Sequence, residues 1–142
     1  MINTNISLEQ VNQSGKGNMV EHLGIEFTEI TPEYICARMP VDNRTKQPMG
    51  LLHGGASVVL AESVGSTASW LSLENPEKQA AVGVEINANH LKSAREGYIY
   101  AKCTALKVGR SMHVWDIKIT NEAEDLVCVC RLTTAVIQQR QG

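Results

Sequence analysis

Glu62 stands in the most unusual surroundings of any ionisable residue in this sequence. It is the single charged residue in the segment 56–71, which is otherwise small, apolar or neutral. A helix of that composition is expected to be buried, and a carboxylate in a buried helix costs free energy unless it is paired, hydrogen-bonded or protonated. Glu62 therefore either marks a solvated strip of the helix or is a carboxylate retained for chemistry, as a nucleophile or a general base.

The tripeptide His53-Gly54-Gly55 stands where this helix is predicted to begin. Glycines allow a ligand to approach backbone N–H groups closely. The first N–H groups of a helix lack partners within the helix and carry partial positive charge, so they can stabilise an oxyanion. The sequence thus offers a polarising helix end and, further along the same helix, a carboxylate.

The spacing of these two groups predicts a site shared between two chains. Gly54 and Glu62 are eight residues apart, which is about 12 Å at the helical rise of about 1.5 Å per residue. That separation is too large for both groups to act on one carbonyl group. We therefore expect Glu62 of one chain to meet the partner's Gly54.

The remaining elements are short helices and strands. Ser7 with Gln10 forms a capping box that opens one short helix, and Asn18 opens a second that stops at Gly24. Alternating apolar residues and turn-forming residues predict strands on both sides of the long helix. The predicted ranges are strands 25–30 and 34–39, loop 40–52, helix 55–73, and strands 80–90, 98–108, 113–120 and 126–137. This order predicts an antiparallel sheet with one helix on its face, a single α+β domain spanning residues 1–142.

Composition excludes several classes of protein. A chain of 142 residues with a formal net charge of −2 is long enough for one domain and is not basic enough for a typical nucleic-acid binder. It shows neither an apolar run of about 20 residues nor a secretion signal, so we expect a cytoplasmic protein that does not bind membranes. Free thiols are expected, and Cys128 and Cys130 should fill a strand rather than bind a metal.

Residues 47–63, from Gln47 to Ser63, resemble the signature of hotdog-fold acyl-CoA thioesterases. The runs 83–90, 93–97 and 131–135 are similar to the same branch, which includes 1,4-dihydroxy-2-naphthoyl-CoA thioesterase of menaquinone biosynthesis and the enterobactin-synthesis proofreading thioesterase. The resemblance covers nearly the whole chain. It implies a sheet wrapped round a central helix, a homodimer with active sites at the interface, and dimers that often pair into tetramers.

The resemblance also implies roles for individual residues. Glu62 would be the nucleophile or general base on the thioester, and the Gly54 N–H would polarise the carbonyl group from the partner chain. Gln47 and His53 would orient the thioester and the catalytic water. Ser66, one turn after Glu62, would hold water or the acyl head.

Substrate contacts follow from the same resemblance. His90 would recognise a ring hydroxyl group, and Lys92, Arg110 and Ser111 supply charge and donors for the phosphates of CoA. The full set of implied substrate and CoA contacts is Gly83, His90, Leu91, Lys92, Ser93, Lys107, Val108, Gly109, Arg110, Ser111 and Met112. Neither a metal nor a separate cofactor is implied, because CoA is part of the substrate.

Each of these side chains also has a plainer interpretation. Gln47 fits an ordinary loop residue, His53 a helix cap and His90 a strand-end histidine. Lys92 and Arg110 fit solvated charges. The two other histidines carry no functional argument and are expected to be structural; they are His22 and His113.

The function has alternatives as well. Aromatic acyl-CoA is the substrate class that the resemblance favours, while medium-chain acyl-CoA and carrier-protein thioesters remain open. A hydratase of the same fold is disfavoured, because the helix has no histidine after Glu62 and no aspartate. A non-catalytic acyl-CoA-binding domain is disfavoured by the complete set of Gln47, His53, Gly54 and Glu62.

Overall fold

The fold follows the predicted order of elements. A computed structural model describes residues 1–140 of the chain. The elements within that range are α1 (Leu8–Ser14), α2 (Met19–His22), β1 (Glu26–Ile30), β2 (Tyr34–Pro40), α3 (Gly54–Leu71), β3 (Gln79–His90), β4 (Tyr98–Val108), β5 (Met112–Thr120) and β6 (Leu126–Gln138). Each predicted helix and strand is confirmed, with ends shifted by one or two residues. No helix in the described range is long and apolar enough to cross a membrane.

The strands form one antiparallel sheet in the order β1-β2-β4-β5-β6-β3. β3 does not pair with β4, which follows it in the chain. It crosses instead to the far edge of the sheet and pairs with β6, from Gln79 opposite Gln138 to His90 opposite Cys128. The sheet curves round α3, which contacts β2, β3, β4, β5 and β6. This is the predicted α+β hotdog arrangement.

The small residues of α3 allow the helix to lie close to the sheet. Ala61, Gly65 and Ala68 are buried. A Cβ added to Gly65 would lie 2.5 Å from Cδ2 of Leu132 on β6, so a larger residue there would have to displace the fully buried Leu132 side chain. The helix is thus held at a short, fixed distance from the strands, and this distance determines where its polar side chains lie.

The core side of the sheet is filled by alternating residues of the central strands. His113, Trp115, Ile117 and Ile119 of β5 are all buried, as their alternation predicts. Cys103, Cys128 and Cys130 fill the same layer. The Cys128 and Cys130 sulfur atoms are 3.6 Å apart, and the predicted role of these two residues as strand filling is confirmed.

β3 is the strand that the sheet covers least. One of its edges has no strand neighbour within the described sheet, and residues 82–85 are exposed. Its pairing with β6 is interrupted between Gly83 and Glu85, where Val84 forms a β-bulge. An uncovered edge of this kind is a ready template for pairing with another strand.

Candidate active site

Glu62 lies on the side of α3 that faces β3. A Cβ added to Gly83 would lie 2.6 Å from Oε2 of Glu62 and 3.7 Å from its Cδ, so the carboxylate rests against the strand backbone. None of the ion pairs among residues 1–140 involves Glu62. The buried side-chain atom without a hydrogen-bond partner in that range is Nε of Arg38, so the Glu62 oxygens, which also lack a partner, are not fully buried. Glu62 therefore presents an unpaired carboxylate that solvent or a ligand can reach.

His53 caps the N-terminus of α3. Its Nδ1 accepts the Gly55 N–H at 2.8 Å, and its carbonyl group accepts the N–H groups of Ala56 and Ser57. Because Nδ1 is an acceptor, the proton of the neutral imidazole lies on Nε2, which is available as a donor. Within the described residues the Gly54 N–H has no hydrogen-bond partner. Of the first N–H groups of the helix, this one remains free for a ligand.

His90, the last residue of β3, packs on Gly54. A Cβ added to Gly54 would lie 2.9 Å from Nε2 of His90 and 3.0 Å from its Cε1. The strand therefore contacts the helix at two functional positions, near Glu62 and at the helix start. Gly83 of the strand lies opposite the Glu62 side chain, and Gly54 of the helix lies opposite the His90 side chain.

Gln47 belongs to a tight loop that leads into α3. Its Oε1 accepts the backbone N–H of Met49, its own N–H donates to the Leu51 carbonyl at 2.8 Å, and the Gly50 N–H donates to its carbonyl at 2.9 Å. Gly50 has φ of 80°, a conformation that favours glycine. The side-chain amide oxygen is thereby used in the loop, and the amide NH₂ group is left to donate.

One cleft gathers six of the predicted site residues. It has a volume of about 410 Å³ and is open to the surface beside the start of α3. The predicted residues that line it are Gln47, Gly54, His90, Leu91, Lys92 and Ser93. Nζ of Lys92 is 2.7 Å from Oδ2 of Asp125 in an exposed ion pair, so a phosphate would have to share or replace this contact. Glu62 does not line this cleft.

A second group of predicted residues lies at the opposite end of α3. Val108, Gly109 and Arg110 line a cleft of about 280 Å³, together with Ser72 and Gln79. The predicted contact Ser111 lies in the β4–β5 turn, and the predicted contacts Lys107 and Met112 lie at the adjoining ends of β4 and β5. A 2.8 Å bond from the Gly109 N–H to the Met112 carbonyl closes the turn. A single protomer thus keeps most of the predicted substrate contacts in two separate groups, one at each end of α3, and Gly83 lines neither cleft.

Ser66 and His22 lie outside both clefts. Ser66 lies one turn after Glu62 on the same side of α3 and is partly exposed. His22 is exposed at the end of α2. In the part of the chain that the structure describes, no cluster of three or more His, Cys, Asp or Glu side chains could hold a metal ion.

A buried polar cluster around Ser69 was not predicted. The Ser69 Oγ accepts the indole N–H of Trp115 at 2.6 Å and lies 2.8 Å from Oγ1 of Thr134 and 3.1 Å from Nδ1 of His113. All four residues are buried. Desolvation lowers the pKa of His113, which favours the neutral ring. That His113 is structural stays a prediction, since it is buried in this cluster and also lines the cleft of Val108, Gly109 and Arg110. The sequence signal for the cluster is the alternation of His113 with Trp115 on one face of β5.

Known proteins resemble this chain over nearly its whole length. Residues 49–128 match the profile of the thioesterase superfamily. The chain is 54% identical over 132 residues to 1,4-dihydroxy-2-naphthoyl-CoA hydrolase of Escherichia coli K12, covering 93% of this chain and 96% of that protein. It is 45% identical to the proofreading thioesterase EntH of Klebsiella pneumoniae, covering 93% and 95%. A solved thioesterase of Haemophilus influenzae superposes with a TM-score of 0.93 at 46% identity, covering 99% and 96%.

Proposed function

This chain belongs to the thioesterase superfamily, and we propose that it hydrolyses the thioester of an aromatic acyl-CoA to the free acid and CoA. The observation that carries the proposal is the unpaired Glu62 carboxylate held against the Gly83 backbone. The aromatic substrate class is supported by the 54% identity to an enzyme named for a naphthoyl-CoA.

The catalytic unit is a homodimer formed through β3. Antiparallel pairing of the free β3 edge with a second copy, in the register that sets the partner's His90 opposite this Gly83, would bring the partner's helix start to this Glu62. The partner's Gly54 packs on the partner's His90, so it would approach this Glu62. The cleft lined by Gln79 would then adjoin the partner's cleft at the start of its α3. The two groups of predicted CoA contacts, which are separate in one protomer, would thereby come together. The free edge and the exposed residues 82–85 support this arrangement.

The chemistry is attack on the thioester carbonyl carbon. Glu62 either removes a proton from the attacking water or itself attacks to give a mixed anhydride that water then hydrolyses. In both routes negative charge develops on the carbonyl oxygen, and the free Gly54 N–H stabilises it. The amide NH₂ of Gln47 and the Nε2–H of His53 are donors that orient the thioester and the water. The CoA thiolate leaves when the C–S bond breaks.

A thiol-release screen tests this function. Wild-type protein is assayed against benzoyl-, hydroxybenzoyl-, 1,4-dihydroxy-2-naphthoyl- and medium-chain acyl-CoA, ranked by kcat/KM. The aromatic substrates should rank first. Glu62→Gln keeps the size of the side chain and should lower kcat by about 10²- to 10⁴-fold.

Glu33→Gln is the matched control, because Glu33 is an exposed carboxylate in the β1–β2 turn, away from β3 and from both clefts, and should leave kcat unchanged. Unchanged turnover in Glu62→Gln would exclude Glu62 as the catalytic carboxylate. Higher kcat/KM for medium-chain substrates would remove the aromatic assignment and leave thioester hydrolysis in place.

A carrier-protein thioester is the second candidate substrate. The 45% identity to a proofreading thioesterase favours it. Aryl groups loaded on a phosphopantetheinyl carrier domain should be released faster than the same groups on CoA if this candidate is correct. Equal or slower release assigns CoA as the substrate carrier.

A further inference from the structure

We infer that Gly83 is a positioning residue that fixes the location of the Glu62 carboxylate, an inference that rests on the proposed catalytic role of Glu62. The contact is direct. Only the absence of a side chain on Gly83 makes room for Oε2 of Glu62, since a Cβ at Gly83 would lie 2.6 Å from that oxygen. Contacts between a Cβ and an oxygen at this distance are repulsive, so any larger residue must move the carboxylate.

The backbone conformation does not explain the glycine. The glycines with positive φ in the described chain are Gly17, Gly24, Gly50 and Gly97, and Gly83 is not one of them. An L-residue such as alanine could therefore adopt the local backbone conformation without strain. The requirement for glycine at position 83 comes from the side chain that lies against it.

The backbone at Gly83 is a firm support. Gly83 pairs with Thr134 of β6, and Thr134 is buried and hydrogen-bonded to Ser69 of α3. β6, the strand that pairs with Gly83, is thus connected to α3 next to the Glu62–Gly83 contact. On the other side of the contact, Glu62 belongs to α3, and Gly65 of this helix packs tightly on Leu132. Both backbones that define the Glu62–Gly83 contact are held, so a methyl group at position 83 would be accommodated by movement of the Glu62 side chain and not of the strand.

This role differs from a contact with CoA, which the family resemblance implies for Gly83. A residue that only contacts bound CoA affects substrate binding and therefore KM. A residue that fixes the catalytic carboxylate affects the chemical step and therefore kcat. A displacement of a catalytic group by about 1 Å can lower the rate by about 10²-fold.

Gly83→Ala separates the two roles. It adds one methyl group, which meets the end of a flexible side chain and leaves the fold intact. We expect kcat for the best acyl-CoA substrate to fall by about 10- to 100-fold, with KM within about twofold and the melting temperature not lowered. Thr104→Ser is the control, because it also changes a single methyl group and Thr104 lies on β4, which does not border β3; its kcat and KM should match wild type. A raised KM with unchanged kcat in Gly83→Ala would overturn the positioning role.

A double-mutant cycle tests the contact itself. Glu62→Asp shortens the side chain by one methylene and withdraws the carboxylate from position 83. Gly83→Ala should then change kcat by less than about threefold in the Glu62→Asp background. The same loss of kcat in both backgrounds would show that the methyl group acts elsewhere.

A crystal structure of Gly83→Ala gives a readout that does not depend on activity. The Glu62 carboxylate should be displaced by about 1 Å or more relative to wild type, and an unmoved carboxylate overturns the inference. Wild-type protein that hydrolyses no acyl thioester would instead contradict the proposed function, while the crystal structure still decides the contact.

Discussion

Two polar residues on α3, Glu62 and Ser69, are two helical turns apart and have opposite environments. Ser69 is buried and its hydroxyl group lies within hydrogen-bond distance of three side chains. Glu62 lies at the uncovered strand β3 and has no hydrogen-bond or ion-pair partner among the described residues. The helix thus carries a satisfied polar group at one position and an unsatisfied one at the other.

The difference separates polar groups that stabilise the fold from those available for chemistry. A satisfied buried polar group fixes the packing of the elements it joins, and its loss leaves partners without hydrogen bonds. An unpaired carboxylate at an open edge contributes little to stability and keeps its lone pairs for a substrate or water. Mutations at the two positions should therefore have opposite effects on stability and on turnover.

The largest expected effect is the loss of turnover in Glu62→Met. The apolar side chain has a similar length but no acid–base or nucleophilic capacity, so kcat should fall by about 10²- to 10⁴-fold. Stability should stay the same or rise by about 0.5–1 kcal/mol, because active-site polarity is commonly retained at the expense of stability. Thiol release and urea denaturation measure the two quantities. A clearly destabilised Glu62→Met would mean that the carboxylate holds the fold together.

Ser69→Ala should produce the reverse pattern. It removes the acceptor of the Trp115 indole N–H, and the unfolding free energy should fall by about 2–3 kcal/mol. Turnover per folded molecule should change little at a temperature where the variant is folded. Ser72→Ala is the control, because its hydroxyl group donates only to the Ala68 carbonyl near the end of the helix. Equal destabilisation by both variants would refute the special role of the buried cluster.

His53 lies between these extremes, since it serves both the fold and the proposed chemistry. His53→Ala removes the cap of α3 and should lower the unfolding free energy by about 1 kcal/mol. His53→Asn retains a capping oxygen and should restore most of that stability, while turnover remains low because the Nε2–H donor is absent. Thermal denaturation and thiol release distinguish the two functions. Full activity in His53→Asn would leave capping as the only role of His53.

The smallest expected effect is a pH dependence of stability from His113. Desolvation lowers its pKa in the folded state below the ordinary value of 6.5, so the unfolded chain binds a proton more readily. The stability contribution is complete above about pH 6.5 and declines as the pH falls from there through the folded-state pKa. Unfolding free energies at pH 7.5 and pH 5.5 should differ less in His113→Gln than in wild type. An unchanged difference would show that other groups govern the acid sensitivity.

Local sequence signals were sufficient for the secondary structure. The Ser7–Gln10 capping box is present as predicted, and α3 begins and ends within two residues of its predicted bounds. These features depend on neighbours in the sequence. The pairing of β3 with β6 depends on how the chain returns to the sheet edge, which periodicity does not encode. It became visible only in the structure.

The site was predictable in its residue types and not in its contacts. An anomalous charge and a glycine-containing helix start are enough to single out Glu62, Gly54 and His53. The cap made by His53 was one of two interpretations that the sequence left open, and the bond from the Gly55 N–H shows that the cap forms. The contact of Gly83 with Glu62 joins residues 21 positions apart in the sequence. No spacing rule predicts such a contact.

The bulge in β3 changes which residues of that strand face α3. In a regular strand every second residue faces the same side, so counting from Gly83 would reach Asn89 and turn His90 away from α3. The extra residue Val84 resets this alternation, and both Gly83 and His90 face the helix. Deleting Val84 would straighten the strand and keep both residues inward. Deleting Ala88 would invert the frame beyond it, and the imidazole would leave the start of the helix.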